Sequence, residues 1–268
     1  MKTAAVLFLF SLASLIHAQT VPSHDEIFTA LYGSHYNRTT KLATWHCPQE
    51  EAIAPDKCMF VGDSTAEINL EQMILINNDG QWKAFVAASA VGRLPDCHEC
   101  APLIALGVFV FRDNRWQLES KNDGTFRWGA WSKPASLELV KIGPKLYGFM
   151  FTNYDGNGGY FATYADLWVP EGKMIREVWR SILDEDNKGG YDPTGKYGSE
   201  QRVHVDTAYR FLPADNTDYY LLQTISRGNG DGEKGVYHSR SGISTYRFLN
   251  GHYQQVGTGK QAKKGIKR

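Results

Sequence analysis

The chain has 268 residues, 42% hydrophobic and 13% aromatic, with 29 Lys and Arg against 29 Asp and Glu. A net charge of zero excludes the broad electrostatic field that gathers nucleic acid or an acidic membrane surface. The length suits one large domain or two small ones and is enough to bury a core unaided.

Met1-Lys2-Thr3, an apolar run from Ala4 to Ile16, and His17-Ala18 read as a secretory signal peptide, with the cut expected after Ala18. The run is shorter than the roughly 18–20 apolar residues a membrane span takes, and no later segment reaches that length. The expected location is the periplasm or the exterior. Asn37-Arg38-Thr39 would serve as a glycosylation sequon only in a eukaryotic host. The expected organisation is a signal peptide over 1–18, a helix and disulfide-stapled segment over 19–66, a β domain over 67–257 and a flexible basic tail over 258–268.

The spacing predicts a helix from Ser23 to about Tyr36. Ser23 with Glu26 forms a capping box, and Ile27, Phe28, Leu31 and Tyr32 recur at helical spacing. From Thr40 to Asp63 two Pro, two Cys and mixed polarity predict irregular chain. The four cysteines, Cys47, Cys58, Cys97 and Cys100, predict two disulfides in an oxidising compartment. Three pairings are open, and Cys47–Cys58 with Cys97–Cys100 closes the shortest loops. In Cys97-His98-Glu99-Cys100 the flanking Pro95 and Pro102 favour a clip. A redox pair would sit at a helix N-terminus, but the run from Leu103 to Phe111 reads as a buried central strand. Zinc would need four ligands, and Cys47 and Cys58 are too far apart for a second knuckle.

From Glu67 onward the pattern is β. Four hairpins repeat one device, an apolar strand and then an Asn/Asp/Gly turn, at Met73–Trp82, Val108–Trp116, Asp166–Met174 and Thr245–Tyr253. Further strands are expected at 137–142, 147–153, 159–168, 174–182, 202–211, 219–226 and 242–248. The sum is an all-β, mainly antiparallel protein of about a dozen strands, a sandwich, open barrel or irregular propeller, with one short N-terminal helix.

Three acidic, glycine-rich stretches stand out, at 153–159, 184–192 and 227–233. Asn153, Asp155 and Asn157 place oxygen ligands at alternate positions, like the opening of a calcium loop, but Tyr164 stands where the closing Glu belongs. Tyr154, Tyr160, Asp184, Asp186, Tyr191 and Asp231 are the candidate partner-binding residues, because tyrosines and carboxylates on loops suit an interface. The mature chain has no nucleophile elbow and no His-Glu-x-x-His. His204 and Asp206 alternate and share a strand face. The expected function is an exported, non-enzymatic binding protein acting on a protein partner, as an inhibitor or immunity factor does. The alternatives are an exported hydrolase or glycan-binding protein using carboxylates from separate strands, and a thiol–disulfide protein using Cys97 and Cys100.

Overall fold

A computed structural model of the protein describes residues 21–47, 62–92, 101–122, 126–130, 133–190, 192, 194, 203–215, 217–230, 238–239 and 241–259. The expected signal peptide over 1–18, Cys58, Cys97, Cys100, Tyr191 and Asp231 lie outside the described residues, as do the side chains of Cys47 and Asn157. The expected disulfides therefore fall outside them too.

The helix α1 (His24–Tyr32) begins at the expected capping box. The Glu26 amide donates to the Ser23 hydroxyl, and the Ser23 amide donates to the Glu26 carboxylate at 2.8 Å. A 3-10 turn at Gly33–His35 ends it short of Tyr36. Ile27, Phe28, Leu31 and Tyr32 are buried against a sheet face rich in small residues, among them Ala43, Ala66, Ala84, Ala88, Ala90 and Ala105. Alanines let a helix sit close to the strands. Gly107 completes that fit, since a Cβ there would stand 2.8 Å from a Leu31 methyl.

The sheet under the helix is an antiparallel meander of β1 (Tyr36–Asn37), β2 (Leu42–Cys47), β3 (Gly62–Asn78), β4 (Gln81–Gly92), β5 (Leu103–Arg112) and β6 (Arg115–Asn122). The short strands β7 (Phe126–Arg127), β8 (Gly129–Ala130) and β9 (Lys133–Pro134) follow; β7 pairs with β5, and β8 with β9. A second meander is built from β10 (Ser136–Lys141), β11 (Tyr147–Asn157), β12 (Tyr160–Glu171), β13 (Met174–Asp186), β14 (His204–Leu212), β15 (Leu221–Gly230), the two-residue β16 (His238–Ser239), β17 (Gly242–Leu249) and β18 (His252–Gly259). The halves join into one branched sheet of 16 strands through β13, which pairs with β12 and β14 and, over Met174 and Ile175, runs parallel to β6.

Two further cores complete the interior. Phe85, Ala87, Ile104, Leu106 and Val108 of the first meander meet Phe149, Phe151 and Ile175 of the second. Within the second meander, Val140, Met150, Leu167, Val178 and Trp179 gather with Leu222 and Tyr253. The all-β, mainly antiparallel expectation holds, and β5 is a buried interior strand between β4 and β6, with Leu103 to Val110 all buried. The four hairpins form, with positive φ at Asp79-Gly80, Asp113-Asn114, Gly172 and Asn250-Gly251. No described helix is long and apolar enough to cross a membrane.

Strand ends differ from the sequence expectation. Residues 42–47, expected irregular, are strand β2, because Leu42 to Cys47 find partners along Gly62 to Glu67. The acidic stretches are also shorter as loops than expected. β11 runs on to Asn157, β13 to Asp186 and β15 to Gly230, since each finds backbone partners to those points, Gly230 on His238 of β16. β18 reaches Gly259, into the expected tail.

Candidate functional site

The described parts of the three stretches, 153–159, 184–190 and 227–230, meet at one end of the second meander. Register brings Phe161, Asp186 and His204 into one cross-strand row across β12 to β14. The next row on the same face is Tyr154, Thr163, Asp184, Asp206 and Arg227, from β11 to β15. A β-bulge in β13 sets this arrangement. Tyr164 pairs with Ile182 and Thr163 with Asp184, so Leu183 is the extra residue. Simple alternation from Ile182 would have kept Asp184 on the face of Ile182; the bulge turns Asp184 and Asp186 to the other one.

The two faces of this rim differ sharply in burial. Between the rows, Ala162, Glu185 and Val205 point the opposite way and are 2–3% exposed. Glu185 accepts a hydrogen bond from the Tyr160 hydroxyl at 2.6 Å. On the open face Tyr154 is 58% exposed and Phe161 36%, and their rings stack with centroids 5.8 Å apart at 13°. Asp184, His204, Asp206 and Arg227 are exposed, and Asp186 is half-buried. The His204 imidazole lies 3.5 Å from the Asp186 carboxylate. Asp184 and Asp206 stand directly opposite each other, a pairing that costs stability by like-charge repulsion.

Backbone contacts hold the rim. The β11–β12 turn is Gly158-Gly159, and Gly159 has φ of +85°. A Cβ on Gly159 would collide with the backbone of Gly189 and Gly190. The Gly190 amide donates to the Gly159 carbonyl at 3.1 Å and to the Asn187 carbonyl at 3.0 Å. The buried Asn187 accepts from the Val203 amide at 2.8 Å, tying the 187–190 turn to the start of β14.

No protein-family model, no curated protein and no solved structure matches the chain.

Of the residues singled out in the sequence, Tyr154, Asp184 and Asp186 lie together on the open face, and Tyr160 lies on the other side of the same strands, bonded to Glu185. His204 and Asp206 share the open face, as alternation predicts, but the imidazole faces Asp186 across the strands. Tyr191 and Asp231 lie outside the described residues. Asn153, Asp155 and Asn157 occupy an extended strand rather than a coordinating loop. No group of three or more His, Cys, Asp or Glu among the described residues is placed to hold a metal ion.

Two features were missed in the sequence. Phe161 reads as an interior strand residue, and only the register shows it stacked on Tyr154 at the surface. The second is Asp166 on β12, whose side chain is 1% exposed. Arg180 of β13 donates to one of its oxygens and, at 3.0 Å, to Glu177; the guanidinium also lies 5.2 Å from the centre of the Trp128 ring. The other Asp166 oxygen has no hydrogen-bond partner among the described residues. Burial pushes the Asp166 carboxyl up to about 6, against the pull of Arg180.

Proposed function

We propose that the protein is an exported binding protein that holds a protein partner on the open face of this rim, in the manner of an inhibitor or immunity factor. The observation that carries the proposal is the exposed Tyr154–Phe161 stack beside Asp184, Asp186 and Asp206. The favoured partner surface is basic. A guanidinium can lie on an aromatic face and reach carboxylates beside it, and each exposed cation–π contact contributes about 0.5–1 kcal/mol. Arg227 and His204 set limits on that acidity and give the face its polarity. Support for export is the N-terminal sequence pattern. The test is binding of the secreted or periplasmic proteins of the source organism to the mature protein, with and without Tyr154→Ser, Phe161→Ser and Asp184→Asn. Retention that ignores these changes contradicts the proposal.

A second reading has its own observation. Asp166 and Glu177 come from separate strands and are bridged by Arg180 beneath Trp128, with Asp166 near the proton affinity a general acid uses around neutral pH. An exported hydrolase or glycan-binding protein would use such a pair once Arg180 swings aside. Glycan turnover by the purified protein, abolished in Asp166→Asn, would favour this reading over the first. Calcium at Asn153 and Asp155 is tested separately, by whether added calcium chloride raises the melting temperature.

A further inference from the structure

At the opposite end of the same strands, two recesses run together where the meanders meet. The deeper one, about 280 Å³, is floored by Phe85 and Val108 from the first meander and by Ile142, Leu146 and Val169 from the second. The wider one, about 560 Å³, is walled by Pro144, Pro170, Glu171, Asp218 and Tyr219. Lys145, Leu146, Pro170, Gly172 and Tyr219 line both, so the two form one site.

Its walls are tied in place. The Tyr220 amide donates to the Ile142 carbonyl at 2.7 Å, and the Ile142 amide to the Leu146 carbonyl at 3.0 Å. The β3–β4 turn clasps the β10–β11 turn, with the Asn78 side-chain amide donating to the Lys145 carbonyl at 3.1 Å. Tyr219 is held by a parallel stack on Phe248, centroids 3.8 Å apart.

The charges decide what fits. Lys83 is paired with Glu119, the extra residue of a bulge in β6, and Lys145 with Asp79. Glu171 and Asp218 have no ion-pair partner among the described residues. Their fields converge on the Tyr219 hydroxyl, whose pKa is pushed up to about 12 by burial and then by these two carboxylates. The recess thus combines an apolar floor and an aromatic wall with five charged groups, Lys83, Glu119, Lys145, Glu171 and Asp218, the last two of which have no ion-pair partner among the described residues.

We propose that this site binds a small amine, its ammonium held by Glu171 and Asp218 beside the Tyr219 ring and its apolar or aromatic body lying against Leu146, Tyr147 and Pro170. The inference is independent of the rim and of any protein partner. An ammonium gains from the aromatic ring and the carboxylates together, whereas a carboxylate of the same shape meets two like charges.

The experiment compares phenethylammonium with 3-phenylpropanoate, matched in size and opposite in charge, by amide chemical-shift titration of the mature protein. The expected result is saturable binding of the ammonium with shifts at Gly172, Leu146 and Tyr219, and at least roughly tenfold weaker binding of the carboxylate. The Glu171→Gln/Asp218→Asn double variant, which changes exposed and half-buried wall residues only, should weaken the ammonium by roughly fivefold or more. Equal binding of the two probes, binding of neither, or ammonium binding unchanged by the double variant overturns the proposal. So does ammonium binding that is lost instead in Asp184→Asn/Asp206→Asn, which would place the amine at the rim.

Discussion

The helix-covered face of the first meander and the open face of the rim are both made of adjacent antiparallel strands, yet they are built by opposite rules. Under α1, alanines and Gly107 clear space, and Ile27 and Leu31 fill it. At the rim, Tyr154, Phe161, Asp184 and Asp206 stand outward and exposed, and Asp184 faces Asp206. The first face is optimised for burial. The second keeps an arrangement that costs stability, a cost that the proposed binding role accounts for. Rigidity at the rim comes from the backbone instead, through the Gly159–Gly190 contact and the Asn187 clasp.

The contrast is broken most directly by Ile27→Ala. Ile27 is fully buried, and its truncation should cost about 2–4 kcal/mol in urea unfolding, while leaving partner binding intact once the protein is folded. A cost below about 0.5 kcal/mol would mean that the helix is an ornament on the sheet.

Asp166 gives the next effect, and its sign is fixed by the direction of its shift. The unfolded chain gives up this proton near 3.8 and the native protein near 6. The native state therefore holds the extra proton across that interval, and its stability falls as the pH rises through it, then levels off. Compared with Asp166→Asn, the native protein should lose about 2–3 kcal/mol between pH 4 and pH 7. Parallel stability curves for the two proteins would show that Asp166 is ionised throughout.

Gly159→Ala tests the backbone lock. The positive φ and the collision with Gly189 and Gly190 should cost about 1–3 kcal/mol, and should weaken partner binding, because the turn carries Tyr160 and Phe161. Full binding after this change would uncouple the lock from the site. The smallest effect runs in the other direction. Asp206→Asn removes the like-charge pair and should stabilise the protein by roughly 0.2–1 kcal/mol, while weakening a basic partner. A destabilised Asp206→Asn would mean that Arg227 matters more to Asp206 than Asp184 does.

The sequence disclosed the parts whose causes are local. Ser23 and Glu26 announced the helix start, and Asp79-Gly80 and Asn250-Gly251 announced hairpins, because capping and positive φ are properties of a few adjacent residues. The rim was only half legible. Its glycines, asparagines and aspartates read as loops, but at 153–157, 184–186 and 227–230 neighbouring strands supplied partners and drew them into the sheet. Which face each residue takes depended on one extra residue, Leu183, whose bulge no local pattern marks. Asp166 was invisible as a site because its cross-strand neighbours, Phe151 and Arg180, come from other strands.

The central claim, that the open face of the rim is the binding surface, is tested most directly by a three-way capture. The unaltered chain over residues 19–268, the rim variant Tyr154→Ser/Phe161→Ser/Asp184→Asn and the opposite-end variant Glu171→Gln are immobilised at equal amounts, each checked for an unchanged unfolding transition. Each is exposed to the extracellular or periplasmic proteins of the source organism, and retained proteins are quantified by mass spectrometry. The expected result is a basic protein held by the unaltered chain and by Glu171→Gln and lost from the rim variant. The same proteins retained equally by all three would contradict the account.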